Sequence, residues 1–201
     1  MPPMLGPRFR EALVYAAEAH QDQLRKGTSI PYVSHLLGVT ALVLEDGGDE
    51  DEAIGALLHD VCEDQGGRPR LEDVHGRFGD RVASIVDACT DSHEDPKRPW
   101  KERKDSYIER VRSTHGEDAL RVSLADKLHN SRAILRDFKA ADDPEDLWSR
   151  FTPGRDCVLW YYQALFEAFR TRISSPMLEE LDAAVTELES VAGGSSRGCG
   201  E

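Results

Sequence analysis

The sequence lacks any hydrophobic run that approaches the roughly 20 residues needed to cross a bilayer. Its N-terminal segment, MPPMLGPRFREAL, has no apolar region of the signal-peptide type. Alternating strand patterns of useful length and internal repeats are also absent, which argues against a β-rich or repeat fold. These absences predict a cytoplasmic protein with no membrane partner.

Cysteine is scarce, with four residues in 201 and no CxxC pair. This spacing gives no support to a disulfide framework. Cys62, Cys89 and Cys157 lie inside helical patterns, and we expect them to be buried free thiols. Cys199 lies in the terminal segment GGSSRGCGE, and residues 192–201 are predicted to form a disordered tail.

A surplus of positive charge is missing. The 25 basic and 38 acidic residues give a net charge of −13, whereas a general nucleic-acid-binding protein is expected to be basic. An acidic protein that binds a small polyanion needs locally concentrated lysine and arginine, or a metal ion. A cluster of basic residues and a set of metal ligands are therefore the two features that would support such binding.

Helical periodicity is present along almost the whole chain. Apolar residues recur with helical spacing from a first helix that begins near Pro7 to a last one that ends near Val191. Asp49 is a suitable N-cap for a helix that continues through Val61, and the segments QGGRPR and DSHEDPKRP are predicted loops. The pattern predicts one all-α domain of about ten helices over residues 7–191.

The segment LLHDVCED, Leu57 to Asp64, carries an unusual set of ionisable groups on an apolar helix. His59 adjoins Asp60, and the acidic pair Glu63 and Asp64 follows one helical turn later. Adjacent helical residues point about 100° apart, but both can reach an ion that lies between them. A metal ion also offsets the cost of burying an imidazole and a carboxylate together.

Two other apolar helices carry candidate metal ligands. His35 lies in IPYVSHLLGV, and Asp126 lies in RVSLADKLHNSRAIL with Asn130 four residues later on the same face. A single buried histidine is usually a hydrogen-bonded core residue, but the combination predicts a metal site. Two imidazoles and two carboxylates favour Mn²⁺ or Fe²⁺ over a structural zinc ion. We expect His75, His93 and His115 at the surface and assign no role to His129.

Five sequence blocks, in this order, resemble the HD-domain hydrolases: AHQDQLRKG, PYVSH, ALLHDVCED, FGDRVASIVDACTD and LADKLHNSR. Within that family they are similar to the hydrolase domain of the RelA/SpoT alarmone enzymes and to the stand-alone small alarmone hydrolases. The resemblance extends from about Ala16 to about Tyr162. It implies an HD-domain helical bundle that removes the 3′-pyrophosphate of guanosine tetra- or pentaphosphate, giving GDP or GTP and pyrophosphate.

The resemblance also implies roles for individual residues. It implies a metal ion, Mn²⁺ with Fe²⁺ and Zn²⁺ as alternatives, and a small-molecule nucleotide as the partner. Leu36 stands where the family usually has proline after the ligand histidine, which alters the start of that helix. The residues that match the family's motifs are His35, His59, Asp60 and Asp126 as metal ligands, Glu63 and Asp64 as the catalytic pair, Arg25 and Lys26 at the phosphates, and Asn130 beside the nucleotide.

Further substrate contacts are suggested by a basic run around Trp100. This run contains Lys97, Lys101, Arg103 and Lys104, and it is interpreted as a secondary site for a polyanionic substrate. Relatives have an aromatic residue near the nucleotide where Leu159 stands here, and Trp160 or Tyr161 is expected to replace it.

Several alternative functions remain open from the sequence. The same metal site suits another phosphorylated substrate, such as the 2′-phosphate of NADPH, an adenosine alarmone or a pyrophosphorylated RNA 3′ end. An iron oxygenase is a second alternative, against which the acidic pair Glu63 and Asp64 argues. A non-catalytic HD domain that binds a nucleotide is a third. The oligomeric state is not indicated.

Overall fold

The computed structural model describes residues 5–94, 96–141, 148–193 and 199, without the side chains of residues 64 and 65. These residues form ten α-helices, and the one β pairing among them is an isolated bridge between Leu24 and Pro31. The predicted all-α fold is confirmed. The helices are α1 (Pro7–Ala19), α2 (Val33–Glu45), α3 (Glu50–Leu58), α4 (Val61–Gln65), α5 (Gly67–Phe78), α6 (Asp80–Cys89), α7 (Trp100–Ser113), α8 (Glu117–Ala140), α9 (Gly154–Phe169) and α10 (Pro176–Val191).

Side-chain caps fix the start of two helices. Asp49 accepts a hydrogen bond from the backbone N–H of Glu52 (3.1 Å), and the Glu52 carboxylate accepts one from the backbone N–H of Asp49 (2.8 Å). This capping box confirms Asp49 as the N-cap of α3. The hydroxyl of Ser175 similarly accepts a hydrogen bond from the backbone N–H of Met177 (3.0 Å) at the start of α10.

The helix that carries LLHDVCED is interrupted, which differs from the sequence prediction. α3 ends at Leu58 and α4 begins at Val61, so His59 and Asp60 lie at the junction between them. Asp60 has φ −98° and ψ −4°, a turn conformation between two helical segments. The prediction of one helix that continues from Asp49 through Val61 is therefore wrong, because a turn at His59 and Asp60 interrupts it.

The segment QGGRPR was predicted to be a loop, and the structure places most of it in α5. Only Gly66 separates α4 from α5, with φ +136°, a conformation that favours glycine. Pro69 lies in the first turn of α5, where its missing N–H has no partner to lose. The proline is therefore compatible with the helix, and the prediction of a loop is wrong for residues 67–70.

Two hydrophobic clusters fill the interior. The larger cluster joins α7, α8, α9 and α10 to one side of α2, α3 and α6, and the smaller one joins α1, α4 and α5 to the other side of those helices. α3, for example, contributes Ala56 to the larger cluster and Leu57 to the smaller one. The candidate ligands lie on α2, on α8 and directly after α3. Packing from both clusters therefore holds the backbone beneath them.

The cysteine prediction is confirmed at two positions and wrong at a third. Cys62 and Cys89 are buried and free. Cys157, in α9, forms a disulfide with Cys199, 42 residues later in the chain. Sequence spacing does not reveal this contact, because the two cysteines are 42 residues apart and form no local pattern. Residues 194–198, 200 and 201 lie outside the described residues, so the disordered tail stays a prediction.

The longest described helix, α8, has 24 residues but carries charged side chains along its length, including Arg121, Lys127 and Arg136. Shorter helices cannot span a bilayer at a rise of about 1.5 Å per residue. Among the described residues, no helix combines the length and the apolar character of a membrane span.

Candidate metal centre

Four predicted ligands from three parts of the chain converge on one point. His35 lies in the first turn of α2, His59 and Asp60 occupy the α3–α4 junction, and Asp126 lies near the middle of α8. His35, His59 and Asp126 are buried, and their donor atoms all lie within 4.8 Å of one another. The Asp60 side chain, 20% exposed, closes the group from the cavity side.

The distances between the donor atoms fit a shared ion. Oδ1 of Asp126 lies 3.2 Å from Nε2 of His35 and 3.6 Å from Nε2 of His59. Oδ2 of Asp60 lies 3.0 Å from Nε2 of His59 and 3.6 Å from Nε2 of His35. Ligands about 2.1 Å from a common ion are separated by about 3.0 Å in octahedral geometry and about 3.4 Å in tetrahedral geometry. The observed spacing therefore matches first-sphere coordination.

Hydrogen bonding of the two histidines points to the same conclusion. Nδ1 of His59 donates to the carbonyl oxygen of Ala56 (2.8 Å), and Nδ1 of His35 contacts Nδ1 of His129 (2.9 Å). By contrast, Nε2 of both histidines is buried and makes no hydrogen bond of acceptable geometry among the described residues. A buried nitrogen without a partner is costly, whereas a metal ion would use its lone pair. The residues present fit a divalent metal ion.

The charges of the four candidate ligands also favour a bound cation. Burial opposes charge on His59, but the neighbouring carboxylates of Asp60 and Asp126 outweigh it and raise the pKa of His59 well above its usual value. The pKa values of Asp60 and Asp126 are well below their usual values despite burial, because of His59 and, for Asp126, first of all Lys127. Two ionised carboxylates therefore meet a histidine that tends to hold a proton. A divalent cation can take the place of that proton.

The carboxylate ligands are fixed by further hydrogen bonds. The Tyr32 hydroxyl donates to Oδ2 of Asp60, while Lys127 and Asn130 donate to Oδ2 and Oδ1 of Asp126, each over 2.5 Å. Tyr32 was missed from the sequence. Its position three residues before His35 in PYVSH, one helical turn away, was the available signal.

Glu63 lies beside the centre at the floor of a cavity. Its side chain is 22% exposed and accepts a hydrogen bond from Lys97 (2.9 Å). Burial and the neighbouring Asp91 raise the pKa of Glu63 above its usual value. A carboxylate with a raised pKa suits proton transfer near neutral pH. The side chain of Asp64 lies outside the described part of the structure, so its predicted catalytic role stays a prediction.

The cavity in front of the ligands has a volume of about 530 Å³, and the basic residues of its lining form what we call its rim: Arg25, Lys26, Arg103, Lys104, Lys127 and Arg136. Asp91, whose side chain is 3% exposed, accepts hydrogen bonds from Arg103 and from Lys104, the latter over 2.6 Å. These cations outweigh burial and lower the pKa of Asp91 to about 2. The lining includes Asp60, Glu63 and Asp126 beside Arg25, Lys26, Arg103, Lys104, Lys127 and Asn130, with Tyr32, Trp100, Phe151, Tyr161 and Tyr162 as its aromatic residues.

Some predicted substrate contacts do not line this cavity. Lys101 donates to the Asp105 carboxylate (2.7 Å) and lies over the Trp160 ring at 4.0 Å. Trp160 packs against Trp100, with ring centroids 6.3 Å apart. Lys97 reaches Glu63 from outside the lining. Of the basic run, the structure therefore brings Arg103 and Lys104 to the cavity, and of the aromatic pair it brings Tyr161.

The expectation that His115 lies at the surface is wrong. His115 is buried at 5% exposure and packs edge-on against Tyr107. His129, to which the sequence assigned no role, contacts the candidate ligand His35. In both cases the partner lies more than one helical turn away in the sequence, and a local pattern therefore does not reveal it. His75 is exposed, as predicted, while His93 is half-buried and pairs with Asp87 (2.7 Å).

Comparison with known sequences identifies the family. The sequence profile of the HD domain matches residues 12–155. The chain belongs to the HD-domain family. It is 39% identical over 129 residues to guanosine-3′,5′-bis(diphosphate) 3′-pyrophosphohydrolase MESH1 of Xenopus tropicalis, which covers 63% of this chain and 69% of that relative. The Homo sapiens protein of the same name is 37% identical over 130 residues, with the same shares covered.

Two solved structures have a similar fold. One, described as a metazoan ortholog of SpoT that hydrolyses ppGpp, superposes with a TM-score of 0.70 at 26% identity and covers 94% of this chain and 97% of its own. A Listeria monocytogenes protein superposes with a TM-score of 0.67 at 29% identity and covers 80% of this chain and 99% of its own. The helical arrangement is therefore that of the family.

Proposed function

We propose that this HD-domain protein is a metal-dependent phosphohydrolase that removes the 3′-pyrophosphate of guanosine tetraphosphate or pentaphosphate. One observation carries the proposal: a buried group of two imidazoles and two carboxylates opens into a cavity with a basic rim, in a chain whose net charge is −13. Locally concentrated cations are what an acidic protein needs to bind a polyphosphate. The names of the relatives, given above, agree with this substrate.

His35, His59, Asp60 and Asp126 would hold the metal ion, with Mn²⁺ as the proposed ion and Fe²⁺ or Zn²⁺ as alternatives. Such an ion, when bound, supplies a Lewis acid that lowers the pKa of a water molecule and polarises a phosphate oxygen. Two nitrogen and two oxygen donors suit these metals, and the oxygen share favours Mn²⁺ and Fe²⁺. Tyr32 and Asn130 keep the carboxylates in place.

Glu63 is proposed as the group that accepts a proton from the attacking water, with Asp64 as its neighbour in the family's acidic pair. The raised pKa of Glu63 makes its carboxylate a better proton acceptor near pH 7 than an exposed glutamate. Lys97, which donates to Glu63, holds that carboxylate in one orientation. The water oxygen then forms a bond to the phosphorus of the 3′-pyrophosphate as the bond from that phosphorus to the 3′ oxygen breaks, and the 3′ oxygen takes up a proton to leave as a hydroxyl.

The basic rim is proposed to bind the phosphates. Arg103 and Lys104 are held by Asp91, and Arg25 donates to Asn130 over 2.6 Å and lies over the Tyr32 ring. Fixed cations lose little side-chain entropy when an anion binds, so they bind phosphate better than free ones. Lys26 and Lys127 add charge to the same cavity, and Tyr161 offers an aromatic face near it.

The test is hydrolysis by purified protein with Mn²⁺ and guanosine tetraphosphate, analysed by anion exchange beside the His59→Ala variant. We expect GDP and pyrophosphate from the wild type alone. Parallel reactions contain NADPH, an adenosine alarmone and an RNA with a 3′-pyrophosphate. No release from the guanosine substrate, with turnover of one of these, would contradict the proposed substrate and keep the phosphohydrolase.

A further inference from the structure

A contact between two histidines links the metal centre to a residue outside it. Nδ1 of His35 lies 2.9 Å from Nδ1 of His129, and the two ring centroids are 4.8 Å apart. His129 follows Asp126 by three residues on α8, so the two lie on the same face of the helix. That face therefore carries the candidate ligand Asp126 and the residue that contacts the candidate ligand His35. The two histidines are 94 residues apart in the sequence.

The direction of this hydrogen bond follows from the geometry of the centre. Nε2 of His35 faces Asp126 and Asp60, so it must present a lone pair to an ion held there. The single proton of a neutral His35 is then on Nδ1, which donates, and Nδ1 of His129 accepts. His129 must therefore carry its own proton on Nε2. His59 is held in the same tautomer, but by the main-chain carbonyl of Ala56.

Gly38 provides the space that the His129 ring occupies. It lies in α2, three residues after His35, where glycine is less favourable to the helix than alanine. A Cβ atom at this position would overlap Nε2 and Cδ2 of His129. Any larger residue would therefore displace the ring that contacts His35.

We propose that His129 is a positioning residue for the metal centre: it accepts the Nδ1–H hydrogen bond of His35, and Gly38 leaves the space for its ring. Together they fix the rotamer and the tautomer of one ligand. The inference rests on the metal centre proposed above but not on the identity of its substrate. Removing such a partner of a ligand histidine typically weakens metal binding by about 10- to 100-fold.

The experiment measures Mn²⁺ binding to metal-free protein by calorimetry, with no nucleotide present. His129→Phe keeps a ring but cannot accept a hydrogen bond, and we expect its Mn²⁺ affinity to fall by about 10- to 100-fold. His129→Asn places an amide oxygen near the position of Nδ1, and its affinity should stay within about threefold of the wild type. A purely packing role predicts the reverse order, because phenylalanine fills the site better than asparagine.

Gly38→Ala tests the proposal without changing either histidine. We expect weaker Mn²⁺ binding in this variant, although alanine favours the helix. Gly76→Ala is the matched control, because Gly76 is also helical and a Cβ atom there meets nothing within 4 Å. This control should bind Mn²⁺ as the wild type does. In the double variant Gly38→Ala/His129→Ala, the glycine change should have no further effect, since the ring it displaces is gone.

Nitrogen-detected NMR of the Zn²⁺-loaded wild type gives the tautomers directly. We expect the proton of His35 on Nδ1 and that of His129 on Nε2. A proton on Nδ1 of His129, or equal Mn²⁺ affinities in the wild type, His129→Phe and Gly38→Ala, would overturn the inference and leave the metal centre intact. A wild type that binds no divalent metal would overturn the metal centre and this inference together.

Discussion

The inner end of the cavity is the group of candidate metal ligands, His35, His59, Asp60 and Asp126. Both histidines of this group are fully buried and held through Nδ1. The basic residues of α7 fall into two groups. Arg103 and Lys104, with side chains 12% and 16% exposed, line the cavity and are held by the buried Asp91, whereas Lys101, 36% exposed, lies outside the lining and pairs with its helix neighbour Asp105. The same basic run therefore contains residues built into the site and residues on its surface. What separates them is a buried acid, not their own residue type.

The largest effect is expected at the inner end. Asp126→Ala removes a carboxylate that approaches both ligand histidines, and we expect metal content to fall and turnover to drop by at least about 10³-fold, because the ion supplies several kcal/mol of transition-state stabilisation. Asp105→Ala, on the exposed face of α7, is the control and should retain both. If the Asp126→Ala protein kept its metal and its activity, the proposed role of the inner end in hydrolysis would be wrong.

Glu63→Gln separates proton transfer from metal binding. The amide keeps the size of the side chain but cannot accept a proton, so we expect normal metal content and a kcat lower by about 10²- to 10⁴-fold. Metal analysis and steady-state kinetics on the same preparation check this. Loss of metal in this variant would mean that Glu63 acts as a ligand, and the proposed division of roles would be wrong.

The two groups of basic residues on α7 should differ in their effect on substrate binding. Lys104→Ala removes a fixed cation from the cavity, and we expect KM to rise by about tenfold or more with a smaller change in kcat. Lys101→Ala removes an exposed ion pair and should change KM by less than about twofold. Equal effects of the two substitutions on KM would contradict the distinction between cavity-lining and surface lysines.

His115, which lies away from the metal centre, should give the smallest effect, a change in how stability depends on pH. Its pKa is shifted down, whereas that of His59 is shifted up. Burial, with Arg110 and Arg172 nearby, lowers the pKa of His115 from 6.5 to about 4. The folded state therefore favours the neutral form, so this contribution to stability is complete above pH 6.5 and is lost as the pH falls toward 4. His115→Gln cannot take up this proton. Its Tm should fall less between pH 6.5 and pH 4.5 than that of the wild type, and parallel Tm curves would contradict this.

Local patterns in the sequence predicted the helices and the residues that form the inner end. The histidine and aspartate residues on apolar helices were conspicuous because each is costly to bury alone. The partners that hold them were not predicted, since Ala56 contributes only a carbonyl and His129 is 94 residues from His35. Gly38 likewise has no pattern of its own, and its role is visible only where two helices meet. The Cys157–Cys199 disulfide has the same explanation, because helical periodicity carries no information about contacts between distant segments.

The rim was predicted less well than the inner end for a related reason. Lysine and arginine are common on solvated helices, so a basic run does not reveal which of its members turn inward. Asp91, which determines this for Arg103 and Lys104, lies in a segment that the sequence indicated only as a polar loop. Burial of that acid is a tertiary property, because its partners Arg103 and Lys104 follow it by 12 and 13 residues, on α7.

We propose that hydrolysis depends on a single divalent ion at the inner end. The most direct test adds Mn²⁺ stepwise to metal-free protein and measures bound metal and the hydrolysis of guanosine tetraphosphate together, with His59→Ala in parallel. Activity should rise in proportion to occupancy, reach its maximum with one ion per chain, and be absent in the variant. Activity in the metal-free protein, or equal occupancy and activity in His59→Ala, would contradict it.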